Sequence, residues 1–227
     1  MDLIRCVNVS KSYNPGTSAE VKAVKNVNLK IKSGERVAIM GPSGCGKSTL
    51  LHLIGCLDKP TKGKIFIDSR DTSKLSDEEL AKIRREKIGF VFQFFYLFPT
   101  LTALENVMLP MMFMKGNVLE KKKKAKELLK LVGLEKRAHH YPLQLSGGER
   151  QRIAIARAMA NDPEIILADE PTGNLDSKAG RDVMNFLTKL NEKGVTLVLV
   201  THDKFIASHA KRIIKLKDGK IIKEEKR

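Results

Sequence analysis

The chain has 227 residues, a length that suits one compact α/β unit with a smaller lobe. Its 42 Lys and Arg residues exceed its 26 Asp and Glu residues and give a formal charge of +16. However, 42% of the residues are apolar and fall in short, regularly spaced runs, which excludes a disordered polycation. The longest apolar stretches, around residues 88–98 and 107–114, are shorter than the roughly 18–20 residues that a membrane-spanning helix needs.

Cysteine usage and the amino terminus favour a reducing compartment. Cys6, Cys45 and Cys56 are too few and too scattered for a disulfide framework or a metal cage. The first residues alternate as a strand does and lack the basic and apolar regions of a secretion signal. The positive charge favours an anionic partner, which leaves nucleic acid, an anionic membrane surface and a phosphorylated ligand open.

The first part of the chain predicts three strands and a capped helix. Residues Leu3–Val9 and Val24–Ile31 are strand-like, and Arg36–Met40 is apolar enough to be a buried parallel strand. Ser76 and Glu79 form an S-x-x-E capping box, so a helix is expected to begin there.

The second part of the chain predicts a helical stretch followed by further strands. We expect residues 94–161 to be mainly helical, with parallel strands at Ile165–Ala168 and Thr196–Val200 and a helix over Lys178–Lys193 between them. Asp218-Gly219 is typical of a hairpin turn, here joining strands at 213–217 and 220–223.

A phosphate-binding loop follows the apolar strand. Residues Gly41 to Ser48 fit the pattern G-x-x-x-x-G-K-[ST], in which glycines let backbone N–H groups surround phosphate oxygens. Lys47 is expected to reach the outer phosphates and Ser48 to offer its hydroxyl to Mg²⁺. Cys45 lies close to a helix N-terminus, where thiols are often reactive. The predicted nucleotide-binding residues of this loop are Gly41, Pro42, Ser43, Gly44, Cys45, Gly46, Lys47, Ser48 and Thr49.

A pair of carboxylates ends the strand at Ile165–Ala168. Because ligands bind off the carboxyl ends of strands in open α/β sheets, Asp169 and Glu170 should face the phosphates. Asp169 would hold Mg²⁺, and Glu170 would polarise the water that attacks the γ-phosphorus. An ordinary polar strand end is the alternative interpretation.

The segment LSGGERQRIAIARA at residues 145–158 resembles the signature of ABC transporter nucleotide-binding subunits, and the likeness extends over essentially the whole chain. It implies an α/β P-loop NTPase core with a mainly parallel sheet, an N-terminal antiparallel β subdomain and an inserted helical subdomain. Residues 1–227 would form one ABC ATPase domain, with the catalytic core in 1–93 and 162–227 and the helical subdomain in 94–161.

The resemblance also assigns roles to residues outside the phosphate loop. Tyr13 is similar to the aromatic residue that stacks on adenine, and Gln93 to the glutamine that approaches Mg²⁺ and the attacking water. The segment 173–176, which ends in Asp176, is similar to the loop that crosses the dimer interface. His202 is similar to the histidine that senses the γ-phosphate. The family therefore implies catalytic roles for Lys47, Gln93, Glu170 and His202, and metal contacts for Ser48, Gln93 and Asp169.

The signature forms a second anion site. Ser146, Gly147 and Gly148 would open a helix whose free N–H groups attract phosphate. The family pairs two subunits head to tail, so that each ATP lies between Lys47 of one chain and Ser146 of the other. Glu149 departs from the usual glutamine, and we expect its carboxylate to point away from the phosphate, toward Arg150 or Arg152.

The sequence as a whole predicts an ATPase subunit that powers transport through a separate membrane permease. Its cofactors would be ATP and Mg²⁺, its partners the permease and a second ATP-binding subunit in an ATP-dependent homodimer, and its location the cytoplasmic face of the membrane. Details such as LSGGE and GNLD are most similar to the lipoprotein-release and macrolide-export branch. The alternative is an ABC-type ATPase of nucleic-acid repair or chromosome maintenance. Those proteins have a long coiled coil between the phosphate loop and the signature. In this chain only about 100 residues separate Lys47 from Ser146, which leaves room for the helical subdomain alone. No nucleic acid is therefore expected as a partner.

Overall fold

The computed structural model describes residues 2–226, and these form two β-sheets and a set of helices. The strands are β1 (Asp2–Tyr13), β2 (Val21–Lys32), β3 (Arg36–Met40), β4 (Lys62–Ile67), β5 (Arg70–Asp71), β6 (Ile88–Phe92), β7 (Ile165–Asp169), β8 (Thr196–Thr201), β9 (Arg212–Lys217) and β10 (Lys220–Lys226). The α-helices are α1 (Lys47–Ile54), α2 (Asp77–Lys87), α3 (Ala103–Met112), α4 (Val118–Leu131), α5 (Gly147–Ala158), α6 (Ser177–Glu192) and α7 (Lys204–Ser208).

The smaller sheet is antiparallel and has the strand order β2-β1-β4-β5. In β2, buried residues such as Val27, Leu29 and Ile31 alternate with exposed ones, as expected of a sheet with one solvated face. The buried face packs on α1, whose Leu50 and Leu51 share one hydrophobic core with both sheets.

The larger sheet has the order β10-β9-β3-β8-β7-β6 and is parallel except for the edge strand β10. All six residues of β8 are buried, as are the three central residues of β3, because helices cover both faces of this part of the sheet. A second core, which includes Met184 and Leu187 of α6, lies on the face opposite α1.

Helices α3, α4 and α5 form a third core around residues such as Val107, Leu129 and Ile153. Pro142 begins the last connecting turn, the 3-10 segment Pro142–Gln144, which precedes α5. Asn106 of α3 is fully buried and donates from its amide to the carbonyls of Phe98, Leu101 and Thr102, which fixes the loop that leads into the helices.

The predicted α/β class is confirmed, with an antiparallel N-terminal sheet and a mainly parallel second sheet. The expected hairpin is also present, since Asp218 and Gly219 have φ angles of 49° and 80°, as a tight type I′ turn requires. Strands β4, β5 and β6 were not expected from the sequence. The apolar run of β6 continues into the aromatic loop after it, so its periodicity did not distinguish a strand from a buried helix. No helix among residues 2–226 is long and apolar enough to cross a membrane.

The capping box of α2 provides a test of local stability. The Ser76 hydroxyl accepts from the Glu79 N–H at 3.2 Å, and the Glu79 carboxylate accepts from the Ser76 N–H at 2.8 Å. We expect Ser76→Ala to lower the free energy of unfolding by about 1 kcal/mol in urea denaturation, because an N-terminal helix donor loses its partner. Ser18→Ala, in an exposed turn, is the matched control. Equal unfolding midpoints for the two variants would contradict this role of the cap.

Candidate functional site

The candidate site lies where four parallel strands of the larger sheet end. Phe92 of β6 pairs with Asp169 of β7, Asp169 pairs with Val200 of β8, and Val200 pairs with Ile39 of β3. These strand ends therefore form a single row across the sheet. The loops that follow them carry the phosphate loop, Gln93, Glu170 and His202, so the predicted catalytic residues meet at one edge.

The phosphate loop is shaped by backbone approaches that only glycine permits. A Cβ atom at Gly41 would lie 2.1 Å from the Leu216 carbonyl oxygen, and one at Gly46 would lie 2.1 Å from the Ala23 carbonyl oxygen. Gly46 also has a φ of 100°, in the left-handed region that favours glycine. The loop is thereby held between β9 and β2 and leads directly into α1, with Gly46 at the N-cap.

The start of α1 is built to receive an anion. Among the residues that the structure describes, no side chain caps its N-terminus, and its first turn contains no acidic residue. Lys47 is only 7% exposed, and its Nζ donates to the Pro42 carbonyl oxygen at 2.9 Å, so its charge lies across the loop. Free helix N–H groups, the helix dipole and this ammonium group together favour phosphate.

Ser48 and Asp169 form the second element of the site. The Ser48 hydroxyl donates to Asp169 Oδ1 at 3.2 Å, which joins the start of α1 to the end of β7. Burial raises the pKa of Asp169, while the hydrogen bond from Ser48 opposes that rise. A hydroxyl beside a partly buried carboxylate is an oxygen donor set that suits Mg²⁺, which commonly takes one or two protein ligands and completes its shell with water and phosphate. The residues present therefore fit this metal.

Glu170 is held in one orientation by the end of β8. Its Oε2 accepts from the Thr201 hydroxyl at 2.9 Å, and its Oε1 accepts from the His202 backbone N–H at 3.0 Å. His202 Nδ1 lies 2.7 Å from the same Oε1, while the imidazole is 65% exposed and open to a ligand. Glu170 also has a positive φ of 44°, in the left-handed region that residues other than glycine seldom adopt.

Gln93 contacts the loop of residues 173–176 within the same chain. Its Nε2 lies 3.4 Å from Asn174 Oδ1, and Asn174 Nδ2 donates to the Gln93 carbonyl oxygen at 3.0 Å. Gly173 makes room for this contact, because a Cβ there would lie 2.7 Å from Gln93 Nε2. The side chain of Gln93 thus hydrogen-bonds to Asn174, and the contact of Gln93 with a metal stays a prediction.

The signature opens α5 as expected. The Ser146 hydroxyl caps the helix by accepting from the Glu149 N–H at 3.2 Å, and the Glu149 carboxylate accepts from the Ser146 N–H at 2.8 Å. The expectation that Glu149 pairs with Arg150 or Arg152 is wrong. Its Oε1 lies 3.2 Å from Arg137 Nε, because Arg150 is placed over the Phe95 ring and Arg152 lies beside Gly148.

The signature and the 173–176 loop share a cavity of about 250 Å³. Asp176 caps α6 by accepting from the N–H groups of Lys178 and Ala179, both at 2.9 Å. Ser146, Gly147, Gly148 and Asp176 all line this cavity, and none of the residues that line it comes from the phosphate loop. The start of α5 is therefore separate from the phosphate loop, and its role as a second anion site stays a prediction.

Tyr13 and Cys45 occupy less direct positions. Tyr13 ends β1, is 39% exposed, and donates its hydroxyl to Asp58 at 3.2 Å, which leaves part of the ring open. Cys45 is 5% exposed, and its Sγ would lie 2.7 Å from a Cβ at Gly41. The Cys45 thiol thus packs beneath the loop.

Two residues that the sequence analysis did not single out connect these segments. Gln151 of α5 is fully buried and donates to the carbonyl oxygens of Phe92 at 3.3 Å and Pro171 at 2.5 Å. Arg157 donates to the carbonyl oxygens of Phe95, at 2.7 Å, and Tyr96. Burial lowers the pKa of Arg157 to about 10, so the residue stays cationic at neutral pH. For Gln151, the signal available in the sequence was a glutamine at a position on the apolar face of a predicted helix.

Comparison with known proteins identifies the family that shares this arrangement. A family model described as ABC transporter matches residues 24–173. An ABC transporter ATP-binding protein of Methanocaldococcus jannaschii, MJ0796, is 58% identical over 229 residues, which cover 99% of this chain and 97% of that protein. The macrolide export ATP-binding/permease protein MacB of Escherichia coli is 50% identical over 220 residues, which cover 97% of this chain and 34% of MacB.

Solved structures agree with this result. The dimeric post-hydrolysis structure of the ATP-binding cassette MJ0796, bound to ADP and Pi, has a TM-score of 0.91 at 56% identity and covers 98% of both chains. A second structure, cbiO1 of Clostridium perfringens, part of the ABC transporter complex cbiONQ, has a TM-score of 0.88 at 30% identity and covers 99% of this chain and 88% of its own.

The buried Cys45 provides a test of the phosphate loop. We expect a bulky maleimide attached to Cys45 to abolish nucleotide binding, because the adduct has no room beneath Gly41 and must displace the loop. Bound ATP should slow the labelling, measured by intact mass alongside fluorescent nucleotide binding. Cys45→Ser, treated in the same way, is the control and should keep binding. Unchanged nucleotide binding by fully labelled protein would contradict this role of the loop.

Proposed function

The chain belongs to the ABC transporter family, among its ATP-binding proteins, and we propose that it hydrolyses Mg-ATP in a head-to-tail homodimer to power a separate membrane permease. The observation that carries this proposal is the separation of the two anion sites. The cavity at the start of α5 is lined by residues of the signature, the 173–176 loop and α6, and by none from the phosphate loop or α1. A second copy brings the missing half to each site, and the dimeric cassettes among the solved relatives support that assembly.

The residues at the strand ends then have distinct roles in hydrolysis. The phosphate loop with Lys47 binds the phosphates, while Ser48 and Asp169 hold Mg²⁺, which when bound offsets the negative charge of those phosphates. Glu170 accepts a proton from the attacking water, and Thr201 and His202 keep its carboxylate in place. The open imidazole of His202 and the amide of Gln93 sense the γ-phosphate, and Tyr13 stacks on adenine.

ATP is the ligand that closes the dimer in this proposal. Only the closed state contacts the γ-phosphate from both α1 of one chain and α5 of the other, so ATP shifts the population toward it. Loss of the γ-phosphate removes one of those contacts and lets the dimer open. The cycle of closing and opening supplies the movement that the permease uses.

The permease is proposed to dock on a groove between the sheet and the helical subdomain, residues 94–161. This groove has a volume of about 760 Å³ and is lined by Phe90, Phe92, Tyr96 and Phe113, with Arg84, Arg85 and Arg157 at its polar positions. Phe113 is 68% exposed and Tyr96 is 61% exposed, which is typical of a protein-binding surface. Arg157 lines the groove and also donates to the backbone of the loop that follows Gln93. A movement of the groove is therefore expected to move the loop that carries Gln93.

Transport is favoured over a role on nucleic acid by the relatives and by the size of the helical subdomain. MacB is described as an ATP-binding/permease protein, and this chain matches about one third of its length, which supports a role in transport. We therefore propose a peripheral location at the cytoplasmic face of the membrane, reached through the permease.

The general-base role is tested by Glu170→Gln. We expect this variant to bind ATP normally but to hydrolyse it about 10²–10⁴-fold more slowly, because the amide cannot take the proton. It should also accumulate an ATP-dependent dimer in gel filtration. The control is Glu192→Gln at the end of α6, which is not part of the site. A fully active Glu170→Gln protein would exclude the catalytic role, and a monomer with ATP would contradict the dimer.

The docking groove is tested by Phe113→Asp. We expect basal ATPase activity to stay unchanged, because Phe113 directly follows α3 and has no role in nucleotide binding or hydrolysis, while copurification of the membrane subunit falls at least tenfold. The readouts are ATPase assays of the isolated chain and recovery of the tagged complex from membranes. Leu119→Asp is the matched control, since Leu119 is 73% exposed but does not line the groove. Equal recovery from the two variants would place the permease elsewhere.

A further inference from the structure

We propose that Arg137 is a positioning residue for the signature, which neutralises the Glu149 carboxylate and holds the capped start of α5 ready for the partner's ATP. This inference rests on the proposed function, because it concerns the half of the site that one copy offers to the other. The fifth residue of the signature is Glu149, where the family more often has a neutral glutamine. Glu149 puts a negative charge at the start of a helix that must receive a phosphate.

The contacts around Glu149 form a continuous connection. One oxygen of the carboxylate accepts from the Ser146 N–H at 2.8 Å, and the other lies 3.2 Å from Arg137 Nε. Arg137 belongs to a short 3-10 turn at Glu135–Arg137, well separated in sequence from α5. Its Nη1 lies 3.1 Å from His140 Nε2, so the guanidinium is fixed from two directions.

This connection leaves the Ser146 hydroxyl available to the ligand. Ser146 Oγ accepts from the Glu149 N–H at 3.2 Å, and this bond does not use the hydroxyl proton, which can turn from the Glu149 carboxylate toward a ligand. Ser146 also lines the cavity at the start of α5. The hydroxyl can therefore donate to a phosphate oxygen while the cap stays intact.

The charge balance depends on Arg137. The pKa of Glu149 is lowered despite its partial burial. The largest cause is the hydrogen bond from the Ser146 backbone N–H, and the Ser146 hydroxyl and the charge and hydrogen bond of Arg137 act in the same direction. Glu149 is therefore an anion at neutral pH, in the first turn of the helix that is expected to face the γ-phosphate. The cations next to it in sequence contact other groups, because Arg150 lies over Phe95 and Arg152 beside Gly148. Without Arg137, the carboxylate would be an uncompensated negative charge in the first turn of α5 and would weaken the attraction of the helix start for phosphate.

The experiment is a double-mutant cycle in the Glu170→Gln protein. We expect Arg137→Ala to raise the ATP concentration that gives half-maximal dimer by about five- to tenfold, since an exposed pair contributes modestly and a two-fold dimer contains it twice. Nucleotide binding to the monomer should be unchanged, because the phosphate loop belongs to the other half of the site. Arg137→Lys should recover most of the loss by restoring the charge.

Glu149→Gln separates charge from packing. Glutamine keeps the capping box but carries no charge, so Arg137→Ala should have less than a twofold effect in that background. Lys136→Ala, in the same 3-10 turn, controls for the loss of one positive charge on this strongly basic chain. Thermal melting of each variant checks that the turn and α5 stay folded.

The outcomes distinguish this inference from the function beneath it. If the Glu170→Gln parent forms no ATP-dependent dimer, the proposed function fails and this inference fails with it. If the parent dimerises but Arg137→Ala needs no more ATP than the parent for half-maximal dimer, only the role of Arg137 is overturned. The same holds if Arg137→Ala raises that ATP concentration as much in the Glu149→Gln background as with Glu149 present. A loss that appears with Glu149 and disappears in the Glu149→Gln background, at constant melting temperature, supports it.

Discussion

The alignment of four parallel strand ends is the constraint on which the rest of the structure depends. Hydrogen bonding across β6, β7, β8 and β3 allows a small set of registers, and the observed one places Phe92, Asp169, Val200 and Ile39 in one row. A one-residue slip of one of these strands would move each of its side chains to the opposite face of the sheet and disrupt the cores on both faces. The same core packing that fixes the fold therefore brings the phosphate loop, Gln93, Glu170 and His202 to one edge.

Most of the catalytic half could be predicted from the sequence because its parts are local. The phosphate loop lies between a strand and a helix that the apolar pattern marks, and Asp169 and Glu170 end another apolar strand. Parallel-sheet topology then implies that these segments meet. The strands β4 and β6 were missed because short runs interrupted by lysine or continued by aromatic residues carry no clear period.

Contacts between distant segments were beyond the sequence pattern. The partner of Glu149 was expected among its neighbours on α5, but Arg137 fills that place from a turn twelve residues earlier. The contact of Gln93 with Asn174 likewise joins residues 81 positions apart. Propensity and periodicity describe what one segment prefers, whereas these pairs depend on how folded segments approach each other.

Buried amides connect the helical subdomain to the sheets where an apolar contact would allow sliding. Gln151 reaches from α5 to the carbonyl oxygens at Phe92 and Pro171, next to Gln93 and to Glu170. Among residues 2–226, its Oε1 has no hydrogen-bond partner, which costs free energy relative to an apolar side chain. A directional polar contact maintained at that cost fixes the angle between α5 and the strand ends. The start of α5 and the catalytic loops of one chain are therefore joined by directional hydrogen bonds as well as by apolar packing.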